Sequence, residues 1–205
     1  MGAVLFDAAK HEYRTAKGVQ VPSVTQVLAR AGICDFSFVE EEIRIRSMAR
    51  GTSVHWLLQL EDEGCLNYRQ VPVGLRPYRK AYLEWKGRSG FIPHLIEYQF
   101  ISHYGYAGTV DRFGCLVNGT WAVVDFKTGE IPDWVRYQLT AYAMRMHHIP
   151  AVARAIRRIA LALRADGTYS VKEFPRETWD VDWAKFMQSK KETDAGHVDH
   201  ERARD

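Results

Sequence analysis

The spacing of apolar positions changes several times along the chain. Val24, Val27, Leu28 and Ala31 recur at helical spacing behind Pro22-Ser23, which predicts a helix with Ser23 as N-cap and Gly32 as its end. Phe36 to Glu63 also reads as helical, as two helices meeting near Gly51. Leu75 to Gly87 predicts a further helix with Tyr78, Tyr82 and Trp85 in its core. Phe91 to Ile101 predicts a strand, with Ile96, Tyr98 and Phe100 on one face and Leu95, Glu97 and Gln99 on the other. Two apolar runs then meet at Asn118-Gly119, a strong hairpin signal. Thr128-Gly129 breaks the second strand, Trp121 to Phe126, and Pro132-Asp133 opens a helix running to about His148. Ala155 to Leu163 predicts a strand that Asp166-Gly167 turns into Tyr169 to Phe174. Thr178 to Met187 predicts the last helix, with Trp179, Trp183 and Phe186 facing inward.

The ends are less patterned. Phe6-Asp7 and His11 to Arg14 suggest a short strand or hairpin before Gly18. Residues 188–205 are polar and charged, with almost no apolar content, which predicts a disordered tail. The remainder, 1–187, reads as one domain, with a helical region at 22–63 and a sheet core at 91–174. Helices, three strands, a crossover helix, two strands and a helix make an α/β fold. Its central sheet is mixed and flanked by helices, and the crossover helix leads to a parallel neighbour.

Composition adds limits. At 205 residues, 46% hydrophobic and 26% charged, the chain has enough apolar content for a sizeable core. No apolar run approaches a membrane span and no secretory leader opens the sequence, so a cytoplasmic location is expected. The net charge of +3 and a pI near 8.7 are compatible with nucleic acid without demanding it. Cys34, Cys65 and Cys115 are odd in number and lack paired spacing, which argues against a disulfide framework or a structural zinc site.

The hairpin carries the chemistry. Asp125 and Lys127 alternate onto one strand face, and hairpin pairing brings Asp111 beside them. Carboxylates on adjacent strands can hold a hard divalent cation through oxygen. A neighbouring lysine can orient water or offset charge growing on a phosphate. Taken alone, Asp125-x-Lys127 is equally a surface ion pair. Gln138 and Tyr142 fall four residues apart on one face of the following helix. Glu97, on the preceding strand, reads as a further metal ligand, a support to one, or an exposed carboxylate. Arg44, Arg46 and Arg50 read as phosphate contacts or as balance for Glu40, Glu41 and Glu42. Trp134 and Tyr137 suit stacking on a base or ordinary packing. His147 and His148 sit where positive charge complements the end of their helix.

Gly108-Thr109-Val110-Asp111, Asp125-Phe126-Lys127 and Gln138-xxx-Tyr142, with Gly51-xxx-His55 upstream, resemble the PD-(D/E)xK nuclease superfamily. They are most similar to its RecB-type exonuclease branch, which includes mitochondrial genome maintenance exonucleases and small phage and prophage nucleases. The likeness runs from about Pro22 to Tyr142. It implies a restriction-endonuclease-like α/β/α core and a metal-dependent deoxyribonuclease. His55, Asp111, Asp125 and the Phe126 backbone carbonyl would hold one or two Mg²⁺ or Mn²⁺ ions, with Glu97 as a candidate addition. Lys127 would act on the attacking water, while Gln138 and Tyr142 would brace the lysine or hold DNA. The resemblance also implies an exonuclease acting on single-stranded DNA ends in recombination, repair or phage genome processing. Some relatives hold an iron–sulfur cluster on four cysteines, which three cysteines cannot supply. Two other readings remain. One is an idle nucleic-acid-binding module of the same fold. The other is a metalloenzyme for a small phosphorylated substrate, for which no glycine-rich phosphate loop is present.

Overall fold

A computed structural model describes residues 4–7, 10–34, 39–147 and 156–202, with side chains through residue 195. The expected element starts at Phe36 and Ala155, and His148, lie outside the described residues. The chain opens with strands β1 (Val4–Asp7), β2 (Glu12–Thr15) and β3 (Gln20–Val21), which form a small antiparallel sheet. Helix α1 (Val24–Arg30) begins as expected at Ser23. The Ser23 hydroxyl accepts the Gln26 N–H at 3.1 Å, and the Gln26 side chain accepts the Ser23 N–H at 2.9 Å. This reciprocal cap satisfies two backbone donors that a helix start leaves open.

Helix α2 (Glu41–Asp62) is one continuous helix. The two helices expected to meet at Gly51 are therefore a single element. An interior glycine costs about 1 kcal/mol, and burial of Val54, Leu57 and Leu58 in the C-terminal half offsets it. Helix α3 (Arg76–Ser89) follows, ended by Gly90 at φ 59°. Tyr78, Tyr82 and Trp85 are buried as expected.

The main sheet contains β4 (Ile92–Ile101), β5 (Ala107–Cys115), β6 (Trp121–Lys127), β7 (Ile156–Leu163) and β8 (Tyr169–Phe174), in that spatial order. All neighbours are antiparallel except β6 and β7, which run parallel across α4 (Val135–Met146). Helix α5 (Trp179–Arg202) closes the described chain. Helices cover both sheet faces. Val123 packs with Val27, Leu139, Met146 and Phe186 of α1, α4 and α5. Val124, Phe126 and Leu161 pack on the opposite face with Val54, Leu58, Tyr82 and Trp85 of α2 and α3. The β5–β6 turn follows expectation: Gly119 takes φ 78°, and the Thr120 N–H donates to Asn118 Oδ1 at 3.1 Å.

Two expectations fail here. Strand β4 does not alternate regularly. Leu95 and Tyr98, three residues apart, pack against the same core, as do Val110 and Phe113 on β5. Both strands turn over at Glu97 and Asp111, and Glu97 takes φ 46°. A left-handed non-glycine residue in a strand carries strain of about 1–3 kcal/mol. The charged tail is also not disordered over its described part, because α5 continues to Arg202. Ser189, Lys190 and Thr193 are buried. Their polar atoms are served locally: Ser189 donates to Lys185 O, Thr193 to Ser189 O, and Lys190 pairs with Asp194 at 2.5 Å. These i,i+4 partners add to helix stability in a segment whose polar composition alone predicted disorder. No helix among the described residues is long and apolar enough to cross a membrane.

Candidate metal centre

Strands β5 and β6 pair from Cys115–Trp121 to Arg112–Val124, and regular pairing ends there. Beyond that point a side chain replaces the main chain. Asp111 Oδ2 accepts the Phe126 N–H at 2.6 Å in a buried position. The other oxygen, Oδ1, lies 3.5 Å from His55 Nδ1, and Glu97 Oε1 lies 3.7 Å from the same nitrogen. One ligand atom from each of His55, Glu97 and Asp111 falls within 4.8 Å of the others, the spacing of a shared cation. His55 is delivered by α2, whose neighbouring Val54 and Leu58 fix its rotation by burial. Its ring also meets the Phe126 ring edge-on, 5.7 Å between centres.

Glu97 therefore faces the cluster rather than solvent. Arg112 holds it there, donating to Glu97 Oε1 at 3.0 Å and to Asp62 Oδ2 at 2.6 Å. The Arg112 and Asp62 side chains are fully buried. Tyr82 and Lys86 also donate to Asp62, at 2.7 and 2.6 Å. This buried network was not foreseen in the sequence. Its signal was Asp111-Arg112, two adjacent charges inside a strand that otherwise reads as core.

Asp125 and Lys127 point to the α4 side. Their ammonium and carboxylate are 2.6 Å apart. That carboxylate oxygen, Asp125 Oδ2, is buried, and the Lys127 ammonium is its ion-pair partner. Lys127 donates to Gln138 Oε1 at 3.3 Å, and Gln138 Nε2 donates to the Tyr142 hydroxyl at 3.0 Å. Gln138 and Tyr142 are both buried, so they brace the lysine and are not exposed to a bound strand. Gly108 makes room for this arrangement: a Cβ there would lie 2.8 Å from the Tyr142 ring. Next to it, Thr109 Oγ1 and the Tyr13 hydroxyl share a hydrogen bond at 2.8 Å, tying the small sheet to β5.

The remaining candidates make other contacts. Arg44 pairs with Glu41 at 3.5 Å, Arg46 pairs with Glu42, and Arg50 donates to Ser47. Arg44 and Arg46 thus meet acids of their own helix, while Arg50 meets a serine. Trp134 lies 5.3 Å beneath the Lys127 ammonium, and Tyr137 packs against the core. Asp125 lies outside the 4.8 Å group formed by His55, Glu97 and Asp111. The three cysteines are free thiols.

The electrostatics suit a cation. Burial pushes Asp111 above its ordinary range, opposed by His55. Burial likewise raises Asp125 to about 6, opposed by Lys127. Burial alone would lower His55, but Asp111 and Glu97 outweigh it and hold the imidazole at about 9. An imidazolium thus neutralises the carboxylates in the metal-free protein. Oxygen donors with one imidazole fit Mg²⁺ and favour Mn²⁺. No protein-family model matches the chain, and no curated protein is detectably similar to it.

Proposed function

We propose that this protein is a metal-dependent deoxyribonuclease with a restriction-endonuclease-like core. The observation that carries the reading is the meeting of two groups at the end of the β5–β6 ladder. One is the His55, Glu97 and Asp111 cluster; the other is the Asp125, Lys127, Gln138 and Tyr142 chain. A pure binding module gains nothing from burying carboxylates together, which raises their pKa.

His55, Glu97, Asp111 and Asp125 would hold one or two Mg²⁺ or Mn²⁺ ions, with the Phe126 carbonyl as a further oxygen. The bound cation would supply an acidified water and neutralise charge growing on a phosphodiester. Lys127 supplies the fixed positive charge beside that position. Gln138 accepts from its ammonium, and Asp125 pairs with it at 2.6 Å, which together fix its position. Arg112 keeps Glu97 on the cluster side of β4, so its role is positional.

The resemblance extends the reading to an exonuclease of the RecB type, acting on single-stranded DNA ends in the cytoplasm, in recombination, repair or phage genome processing. Incubation with linear and circular DNA, single- and double-stranded, with Mn²⁺ or with chelator, tests it. Mn²⁺-dependent loss of linear single strands, with circles spared, is the expected result. Equal rates on circles would remove the requirement for an end. No cleavage of any form would remove the nuclease reading.

A further inference from the structure

A second concave surface lies on the α2–α3 side of the sheet. Tyr68, Val73, Arg76, Arg79 and Lys80 line a groove of about 820 Å³, together with Gly167 of the β7–β8 turn, which lies against Lys80. The groove is tied to the metal centre through α2. Arg79 grips Glu61 with two bonds, at 2.6 and 3.0 Å, and Glu61 is six residues along that helix from His55. That spacing is roughly 9 Å at the helical rise.

Its chemistry is aromatic and cationic together. The guanidinium groups of Arg76 and Arg79 sit 5.2 and 4.9 Å from the Tyr68 ring centre. The Tyr68 residue is nonetheless 47% exposed, and Val73 is 74% exposed. Among the described residues neither Arg76 nor Lys80 has a carboxylate partner. Of the two acids on the rim, Glu84 pairs with Arg88 at 2.8 Å, while Asp166 accepts the Thr168 N–H and hydroxyl and keeps its charge. With Arg79 held by Glu61, Arg76 and Lys80 against Asp166 leave the groove a small net positive charge beside a half-exposed ring.

We propose that this groove is a track for single-stranded nucleic acid. Bases stack on Tyr68 and on the guanidinium planes, while phosphates meet Arg76 and Lys80. Stacking surfaces interleaved with cations are what a strand of unpaired nucleotides recognises. An acidic peptide would use the charges and leave the ring idle. The inference rests on the nuclease reading for its ligand, and it names a strand-holding surface separate from the cation ligands.

Fluorescence anisotropy tests it without catalysis. The probe is a labelled oligothymidylate of about twenty nucleotides, longer than the ~4–16-nucleotide sites of single-strand binders, in chelator so that nothing is cut. Tyr68→Ala should weaken binding about ten-fold, as the loss of one stacked base does, and Tyr68→Trp should restore it. The Arg76→Gln, Lys80→Gln double variant should flatten the salt dependence. Circular dichroism checks that each variant is folded. Unchanged affinity in folded Tyr68→Ala overturns the proposal. Full rescue by Tyr68→Leu, or equal competition by a polyglutamate peptide, also overturns it, because neither needs stacking. The two readings fail separately. Tyr68-dependent binding without any cleavage counts against the nuclease alone, and cleavage with Tyr68-independent binding counts against the groove alone.

Discussion

Asp111 accepts the backbone N–H of Phe126, the residue between Asp125 and Lys127. One side chain thereby closes the gap where β5 and β6 stop pairing and fixes the strand that carries the other two charged groups. It also aims its second oxygen at His55. Asp111→Ala should therefore do more than remove a ligand. It orphans a buried N–H, which costs about 1–3 kcal/mol, and Asp111→Asn, whose Oδ1 can accept that N–H, should recover much of the stability but not the metal affinity. Paired denaturant titrations and metal calorimetry separate the two effects. Equal stability of the alanine and asparagine variants would show that the bond contributes little.

Lys127→Ala should lower turnover by about 10²–10³, and because it leaves the buried Asp125 carboxylate without its cation it should also lower stability at neutral pH, so circular dichroism accompanies the rates. Gln138→Ala should lower turnover less and leave metal affinity unchanged, since it acts only through the lysine. Steady-state rates and Mn²⁺ calorimetry measure both. Near wild-type turnover in Lys127→Ala would dismiss the proposed site.

Stability of the metal-free protein should fall as pH rises. Asp125 is raised from 3.8 to about 6, so its contribution is full below pH 3.8 and is lost as pH rises through about 6. His55 is raised from 6.5 to about 9, so its contribution is full below pH 6.5 and is lost as pH rises through about 9. Asp125→Asn should thus gain melting temperature relative to the parent between pH 4 and pH 7. Mn²⁺ should reverse the trend, since its ligands bind deprotonated. A constant difference between variant and parent across that range would contradict the assignment.

Much of this was legible from the chain. The hairpin, the Asp125–Lys127 face and the Gln138–Tyr142 pair followed from periodicity and turn residues. Those signals are local, and local signals survive folding. Glu97 was legible only as one of three open readings, because its placement depends on a positive φ that arises from two strands turning over together. Arg112 escaped for a related reason: its value lies in Asp62, fifty positions away on α2. Gly51 misled, because glycine is read as a helix end while packing downstream of it carries the helix through.

That correction has its own test. A Cβ at Gly51 would meet only Thr128 Oγ1, at 3.9 Å. Gly51→Ala should therefore stabilise the protein by about 1 kcal/mol. A loss of stability on chemical denaturation would place a hidden constraint at that position.

Truncation before Gln188 should lower the melting temperature by at least about 5 °C, given burial of Ser189, Lys190 and Thr193 and ~2–4 °C per kcal/mol at this chain length. An unchanged melting curve would show that this part of α5 adds nothing to the fold.

The most direct test of the central claim is calorimetric titration of Mn²⁺ into the parent protein and into His55→Ala, run in two buffers of different ionisation enthalpy at pH 7.5. The account predicts saturable binding by the parent with release of a proton, because the imidazole must give up its charge to become a ligand. It predicts weaker binding with a changed proton release in a folded His55→Ala, because no imidazolium is left to give up its charge. Equal affinity and equal proton release in the two proteins would contradict the metal centre described here.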